Sequence, residues 1–192
     1  DGFFKGSMVK VFPKERKIVG YCRNNSGGVP ENFHNYFVIY FDKDFENIQT
    51  WSLNDAENLN SKNLQPDVNA EGYHVGAVLS FKTTENEKIT AKVASSFISL
   101  EQAEINLKRE INTDTFEQTK SKAEEAWNNE LNKVEIQGGT TKQLQTFYTA
   151  LYRVLLFPRK FYELDSNNNI VHFSPYNGKV LPGYMFTDNG FW

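Results

Sequence analysis

The repeat of the apolar residues changes at Ser99, from strand-like to helix-like. Before it, apolar positions follow the two-residue period of strands. After it, they recur every three to four residues, as on one face of a helix. The pattern therefore predicts a chain in two parts, strands first and helices second, an α+β arrangement.

In the strand part, residues 8–11 and 17–23 are short apolar runs, followed by a loop at 24–28. Residues 33–41 are apolar on both parities: Phe33, Phe37, Ile39 and Phe41 on one, Tyr36, Val38 and Tyr40 on the other. A strand of that kind is covered on both faces. Residues 48–53 read as a further strand, and the Asn-rich stretch 54–71 as a long loop. Val75, Ala77, Leu79 and Phe81 then alternate with Gly76, Val78, Ser80 and Lys82. Ile89, Ala91, Val93, Ser95 and Phe97 alternate with more polar neighbours. With a polar turn at 83–87, this predicts a hairpin. Together the strands predict an antiparallel sandwich, one face packed on another sheet.

In the helical part, Ser99-Leu100-Glu101-Gln102 reads as a capping box, in which the hydroxyl and the Gln side chain satisfy free N–H groups reciprocally. Leu100, Ala103, Leu107 and Ile111 follow at helical spacing. A second helix is expected over 115–137, with a stripe of Phe116, Ala123, Trp127, Leu131 and Val134, ended by Gly138-Gly139. A third starts at Thr140, carries Leu144, Phe147, Tyr148, Leu151, Val154 and Leu155 on one face, and stops at Pro158. A small hairpin is expected from 161–164 and 170–173, turned at 165–169. Residues 1–98 are thus assigned to a β-sandwich domain, 99–138 to a helical linker and 139–192 to the start of a helical domain. So few helices cannot bury a core, so more are expected to follow in the intact protein. The two ends, at Asp1 and at Trp192, read as cuts. The apolar face of 140–157 is a candidate surface for self-association.

Site searches narrow the chemistry. With 21 Lys+Arg against 24 Asp+Glu, the chain lacks the basic excess of a duplex nucleic-acid binder. Cys22 is the only cysteine, so neither an internal disulfide nor a Cys-based zinc site is expected. His34, His74 and His172 have no metal-ligand spacing. No apolar run is long enough to span a bilayer, and the first residues carry no signal-like apolar stretch. Glu124-Glu125 falls on a solvated helix face, a poor setting for a general acid. No phosphate-cradling Gly-rich loop or nucleophile elbow is present.

The C-terminal quarter is more specific. It contains Phe147-Tyr148-Thr149-Ala150-Leu151-Tyr152-Arg153, then Phe157-Pro158-Arg159, then Gly183-Tyr184-Met185-Phe186-Thr187-Asp188-Asn189-Gly190-Phe191-Trp192. With Ser96-Phe97-Ile98-Ser99-Leu100-Glu101-Gln102-Ala103 at the strand-to-helix switch, these closely resemble glycoside hydrolase family 92, the calcium-dependent exo-acting α-mannosidases of bacteria. The resemblance is strong from about residue 94 onward. It implies an antiparallel β-sandwich joined by linker helices to an (α/α)6 catalytic barrel, with the active site between the two. It implies removal of terminal α-linked mannose, α-1,2 foremost, from glycans by an inverting mechanism with a general acid and a general base. It implies a calcium ion that holds the sugar hydroxyls, and a secreted, periplasmic or cell-surface enzyme. The family's catalytic carboxylates and calcium ligands match no position up to Trp192. No catalytic residue and no bound calcium is therefore expected on this chain, and the chain alone is expected to be inactive. Trp192 matches the family's segment at the −1 subsite, to stack on the pyranose, with an aspartate expected just past it to accept hydroxyls; Asp188 and Phe191 are its neighbours, and Asp188 is the second candidate for binding substrate. The competing reading is a non-catalytic β-sandwich module that binds carbohydrate or protein.

Overall fold

Apolar side chains on both parities of one strand demand cover on both sides, and the chain supplies two different covers. The structure, a computed structural model, describes residues 6–23, 30–53 and 64–187. Strands β1 (Ser7–Phe12), β2 (Lys17–Cys22), β3 (Asn35–Phe41), β5 (Asn69–Gly72) and β7 (Ala91–Ser96) form a five-stranded antiparallel sheet in the order β5-β1-β2-β3-β7. Strands β4 (Asn47–Leu53) and β6 (His74–Ser80) form a two-stranded sheet. Three helices follow, α1 (Leu100–Glu110), α2 (Phe116–Leu131) and α3 (Thr141–Leu155). Strands β8 (Tyr162–Leu164), β9 (Ile170–Ser174) and β10 (Lys179–Pro182) then make a three-stranded sheet in the order β10-β9-β8.

The two-stranded sheet covers one face of the large sheet. Val9, Val11 and Ile18 are buried there against Phe37, Ile39, Ile48, Val75, Ala77 and Leu79. Helix α1 covers the opposite face, where Val19 and Val38 pack on Ala103 and Leu107. The expected sandwich is present, and the doubly apolar strand is explained by a sheet on one side and a helix on the other. Each fully buried Val contributes about 1.5–3 kcal/mol of apolar transfer. Gly20 lets the layers approach: a Cβ there would lie 2.4 Å from the Met8 carbonyl oxygen and 2.5 Å from the Phe37 ring.

Several sequence expectations are corrected. Residues 75–81 and 89–97 do not pair as a hairpin, because β6 pairs with β4 and β7 pairs with β3. Alternation reports which face a residue takes, not which strand lies beside it. The parity of β7 is also reversed: Val93 is 53% exposed, while Ala94 packs with Val19 and Val38 and Ser96 is buried. Part of the 54–71 loop is strand β5, which pairs with β1; the remainder up to residue 63, and the loop at 24–28, lie outside the described residues. Ser99 caps α1 by accepting from the Gln102 amide, but the Gln102 side chain turns elsewhere, so the box is half made. Reciprocal boxes form instead at Thr115 with Gln118 and at Thr140 with Gln143. Helix α2 ends at Leu131, short of Gly138-Gly139. The hairpin of β8 and β9 is present, extended by β10, which the sequence reading missed.

One buried cation ties α1 to the large sheet. The Lys17 ammonium is 2.6 Å from Glu15 and 3.0 Å from Glu104, and it lies 4.7 Å from the centre of the Phe12 ring. Burial alone would lower its pKa. The hydrogen bonds to Glu15 and Glu104, with the charge of Glu104, outweigh that and hold it above the usual lysine value. Burial, with Glu104 nearby, likewise raises Tyr40, against the opposing pull of Lys17. Both groups are therefore stabilised in their protonated forms. Their contribution to folding is fully present below the unfolded-state values, about 10 for both types, and is lost as pH rises through the higher folded values. Unfolding free energy measured by urea titration is expected to stay level to near that pH and then fall. Lys17→Met is expected to cost about 1–3 kcal/mol at neutral pH and to flatten the alkaline fall. An equal alkaline slope in both proteins would assign that loss to other groups.

Candidate functional site at the sheet junction

The large sheet, α1 and the three-stranded sheet meet where β7 gives way to α1. Two kinds of contact hold them. The first is aromatic: Phe33 stacks on Phe97 at 5.0 Å, Phe97 meets Phe161 at 4.8 Å, and Phe173 lies 6.5 Å from Phe33. The second is polar and centres on Glu163 in β8. One carboxylate oxygen accepts from the Ser96 hydroxyl at 3.0 Å and from the Phe97 amide at 2.8 Å. The other accepts from the Asn106 side-chain amide at 2.6 Å. Gln102 donates to Asn106 at 2.9 Å and to the Leu164 carbonyl at 2.7 Å. Arg109, near the end of α1, donates to the carbonyls of Leu164 and Asp165 and to the Asn168 side chain. The sequence reading named none of Glu163, Gln102, Asn106 or Arg109 as site residues. The available signal was a charged residue between Tyr162 and Leu164, which carries no information about its partners.

Beyond this junction the chain builds an aromatic shelf. After α3 and the cis Phe157–Pro158 bond, Phe161 donates its amide to the Met185 carbonyl and Lys160 bridges to Phe186. This pairing brings Tyr162, Tyr184 and Phe186 together: Tyr162 stands edge-on to both, and Tyr184 and Phe186 are near parallel, 6.2 Å apart. Tyr184 is 62% exposed and Phe186 50%. Thr187 is pinned to Arg159 by two hydrogen bonds, its amide to the Arg159 carbonyl and the Arg159 amide to its hydroxyl. Asp188 and Trp192, the two residues expected to touch sugar, lie outside the described residues, as does Phe191. The described segment leading to them therefore presents exposed rings, while its backbone is bonded to Phe161 and Arg159. Rings of this kind stack on the apolar face of a pyranose.

The other candidate groups are occupied locally. His34 is hydrogen-bonded through Nδ1 to the Asn32 carbonyl and His172 to the Gly183 carbonyl. The Asp165 carboxylate accepts from the amide and side chain of Asn169 and from the amide of Asn167, which holds it below the usual carboxylate range. Glu124 sits 3.8 Å from Lys120 on an exposed helix face. Among the described residues no group of three His, Cys, Asp or Glu side chains could hold a metal ion. A mainly apolar cavity of about 400 Å³ opens between the large sheet and the two-stranded sheet, lined in part by Met8, Ile18, Phe37, Trp51 and His74. It lacks the convergent polar groups that fix a sugar.

Comparison with known proteins gives one consistent answer. The glycosyl hydrolase family 92 N-terminal domain matches residues 2–96, and the glycosyl hydrolase family 92 catalytic domain matches residues 102–192. The solved structure of the family GH92 inverting mannosidase BT2199 from Bacteroides thetaiotaomicron is similar over 98% of this chain and 25% of its own, with 44% identity and a TM-score of 0.89. The family GH92 α-mannosidase BT3965 from the same organism, solved in complex with mannoimidazole, is similar in fold over 96% of this chain and 23% of its own, with 24% identity and a TM-score of 0.77. The chain thus spans about a quarter of the length of these solved structures. No curated protein matches it.

Proposed function

Because the chain belongs to glycosyl hydrolase family 92, we propose that it is part of an exo-acting α-mannosidase that removes terminal α-linked mannose from glycans with inversion. The carrying observation is the 44% identity to an inverting mannosidase across 98% of this chain. Inversion requires a general acid and a general base on opposite faces of the sugar, with room for a water between. In this proposal the chain supplies neither. It contributes the wall of the sugar site that Trp192 and Asp188 complete, with Trp192 stacking on the ring and Asp188 accepting hydroxyls. The exposed rings of Tyr184 and Phe186, on the segment that leads to both, support that reading. The break between the two family matches, after residue 96 and before 102, supports a sandwich over 1–98; the further division into linker helices over 99–138 and the first part of a catalytic domain over 139–192 is part of the proposal, the catalytic-domain match itself running from 102 to 192.

Calcium is proposed for the whole enzyme, where it would hold sugar hydroxyls. The described residues do not fit such a site: the Asp165 and Glu163 carboxylates are engaged with nitrogen and hydroxyl donors, and no other cluster of hard ligands is present among them. A glycan substrate also supports a location outside the cytoplasm, in the periplasm, at the cell surface or secreted. Separation of these compartments followed by immunodetection tests that location.

The full-length protein is expected to release mannose from an α-1,2-linked mannobioside, with proton NMR showing the inverted anomer first. Appearance of the retained anomer first, or no release, would count against this function. The 192-residue chain by itself is expected to release none, with or without calcium. In the full-length enzyme Trp192→Ala is expected to lower kcat/KM by the equivalent of about 1–3 kcal/mol, as for loss of one aromatic stack on a flat ligand. The melting temperature should hold. A lowered melting temperature with unchanged kinetics would assign Trp192 to packing instead.

Self-association of the 192-residue chain is a further part of the proposal. Helix α3 contains no buried residue, and Val154 is 51% exposed. Exposed apolar stripes of this kind promote association. Sizing at several concentrations is expected to show growth of the particle. A strictly monomeric particle throughout would remove the proposal.

A further inference from the structure

We infer that Glu163 is a polarity lock that fixes the orientation of the three-stranded sheet against the large sheet, and that it is thereby a positioning residue for the sugar site. Hydrophobic burial of Phe33, Phe97, Phe161 and Phe173 is non-directional and holds the two sheets together, and their ring pairs, inclined at 23°, 41°, 46° and 61°, share no one angle. The polar network selects one orientation, because every donor in it is committed.

The Phe97 amide can only donate. The Ser96 hydroxyl accepts from the Ile98 amide at 2.9 Å and faces the Ser99 amide at 3.4 Å, so its single proton is directed to Glu163. On the other side the Leu164 and Ser95 carbonyls can only accept. Leu164 therefore requires the amide nitrogen of Gln102, at 2.7 Å. The same nitrogen reaches Asn106, at 2.9 Å, and so requires Asn106 to present its oxygen there. The Asn106 nitrogen then donates to the Ser95 carbonyl and to Glu163. Neither amide can flip without setting like against like. Position 163 thus faces donors at both oxygens, and only a carboxylate accepts at both ends. Glutamine has the same shape but must aim its NH2 either at Ser96 and Phe97 or at Asn106.

The donors come from both sides of the strand-to-helix switch. Ser96 ends β7, Phe97 follows it, and Asn106 lies on α1. One carboxylate in β8 therefore gathers the last strand of the large sheet, the helix that covers that sheet, and the sheet that leads to the aromatic shelf. The consequence for catalysis rests on the mannosidase reading; the lock itself does not.

The test uses the full-length protein and two variants, Glu163→Gln and Glu163→Asp. Hydrogen–deuterium exchange is followed in peptides covering 92–98 and 160–174, with peptides covering 17–22 and 36–41 as the internal control. In Glu163→Gln the junction peptides are expected to exchange about tenfold faster with the control peptides unchanged, and kcat/KM for mannose release to fall about 10–100-fold, the order produced by displacing a positioned group. Glu163→Asp keeps both acceptor oxygens on a shorter stem and is expected to retain more protection and more activity than Glu163→Gln. Unchanged exchange at the junction in Glu163→Gln overturns the lock. So does an equal rise in the control peptides, which would make Glu163 a contributor to overall stability only. Faster junction exchange with full activity overturns the positioning role. If the parent protein releases no mannose, the mannosidase reading fails and the exchange measurement still decides the lock.

Discussion

The fold depends on keeping water from the face of the large sheet that carries Val19 and Val38. Those side chains are on the middle strands β2 and β3, so neither sheet edge can shield them. Helix α1 does so, with Ala103 and Leu107 pressed against them and Ala103 fully buried. Ala at that position keeps the helix close to the sheet. Once α1 is fixed there, its other side faces β8, and Gln102, Asn106 and Arg109 are presented to the three-stranded sheet. The helix is therefore both the lid of one core and the mount for the segment that carries the aromatic shelf. The Lys17 pair with Glu104 adds a directional tie at the same interface.

This explains why so much of the layout was legible in the sequence. The change of period at Ser99 falls between the end of β7 and the start of α1, because one chain cannot present a two-residue and a four-residue repeat to the same layer. The doubly apolar run of β3 required cover on both faces, and the structure supplies it, the second sheet over Phe37 and Ile39 and the helix over Val38 and Tyr40. Pairing was not legible. The alternation of Val75, Ala77 and Leu79 specifies an inward face equally well whether the neighbour is β7 or β4. At β7 the rule misassigned the face, since Ala94 and Ser96 are small enough to lie under α1 while the larger Val93 stays open. The polar network at Glu163 was illegible for a related reason: the three donors to its carboxylate, Ser96, Phe97 and Asn106, lie 57 to 67 residues away from Glu163 in the chain. The motif carrying Trp192 and Asp188, proposed above to touch sugar, could be read from local sequence; both residues lie outside the described residues.

The helices after α1 follow a different logic. Helices α2 and α3 contain no buried residue, yet each begins at a reciprocal capping box, Thr115 with Gln118 and Thr140 with Gln143. A cap of this kind is worth about 1 kcal/mol, and it acts on the first turn whatever lies outside the helix. Their starts are thus set by local chemistry, while α1, which has only half a box at Ser99, is held by burial. The two later helices touch through the rings of Trp127 and Tyr152, 4.6 Å apart, and through the Tyr148 hydroxyl on the Val134 carbonyl. Such contacts orient two helices without enclosing a core. The apolar stripe of α3 is thus left at the surface of a helix whose first turn is capped locally. A helix that is formed before association gives up little backbone entropy on docking, so local capping of α3 leaves more of the gain from burying its stripe as binding free energy in the self-association proposed above.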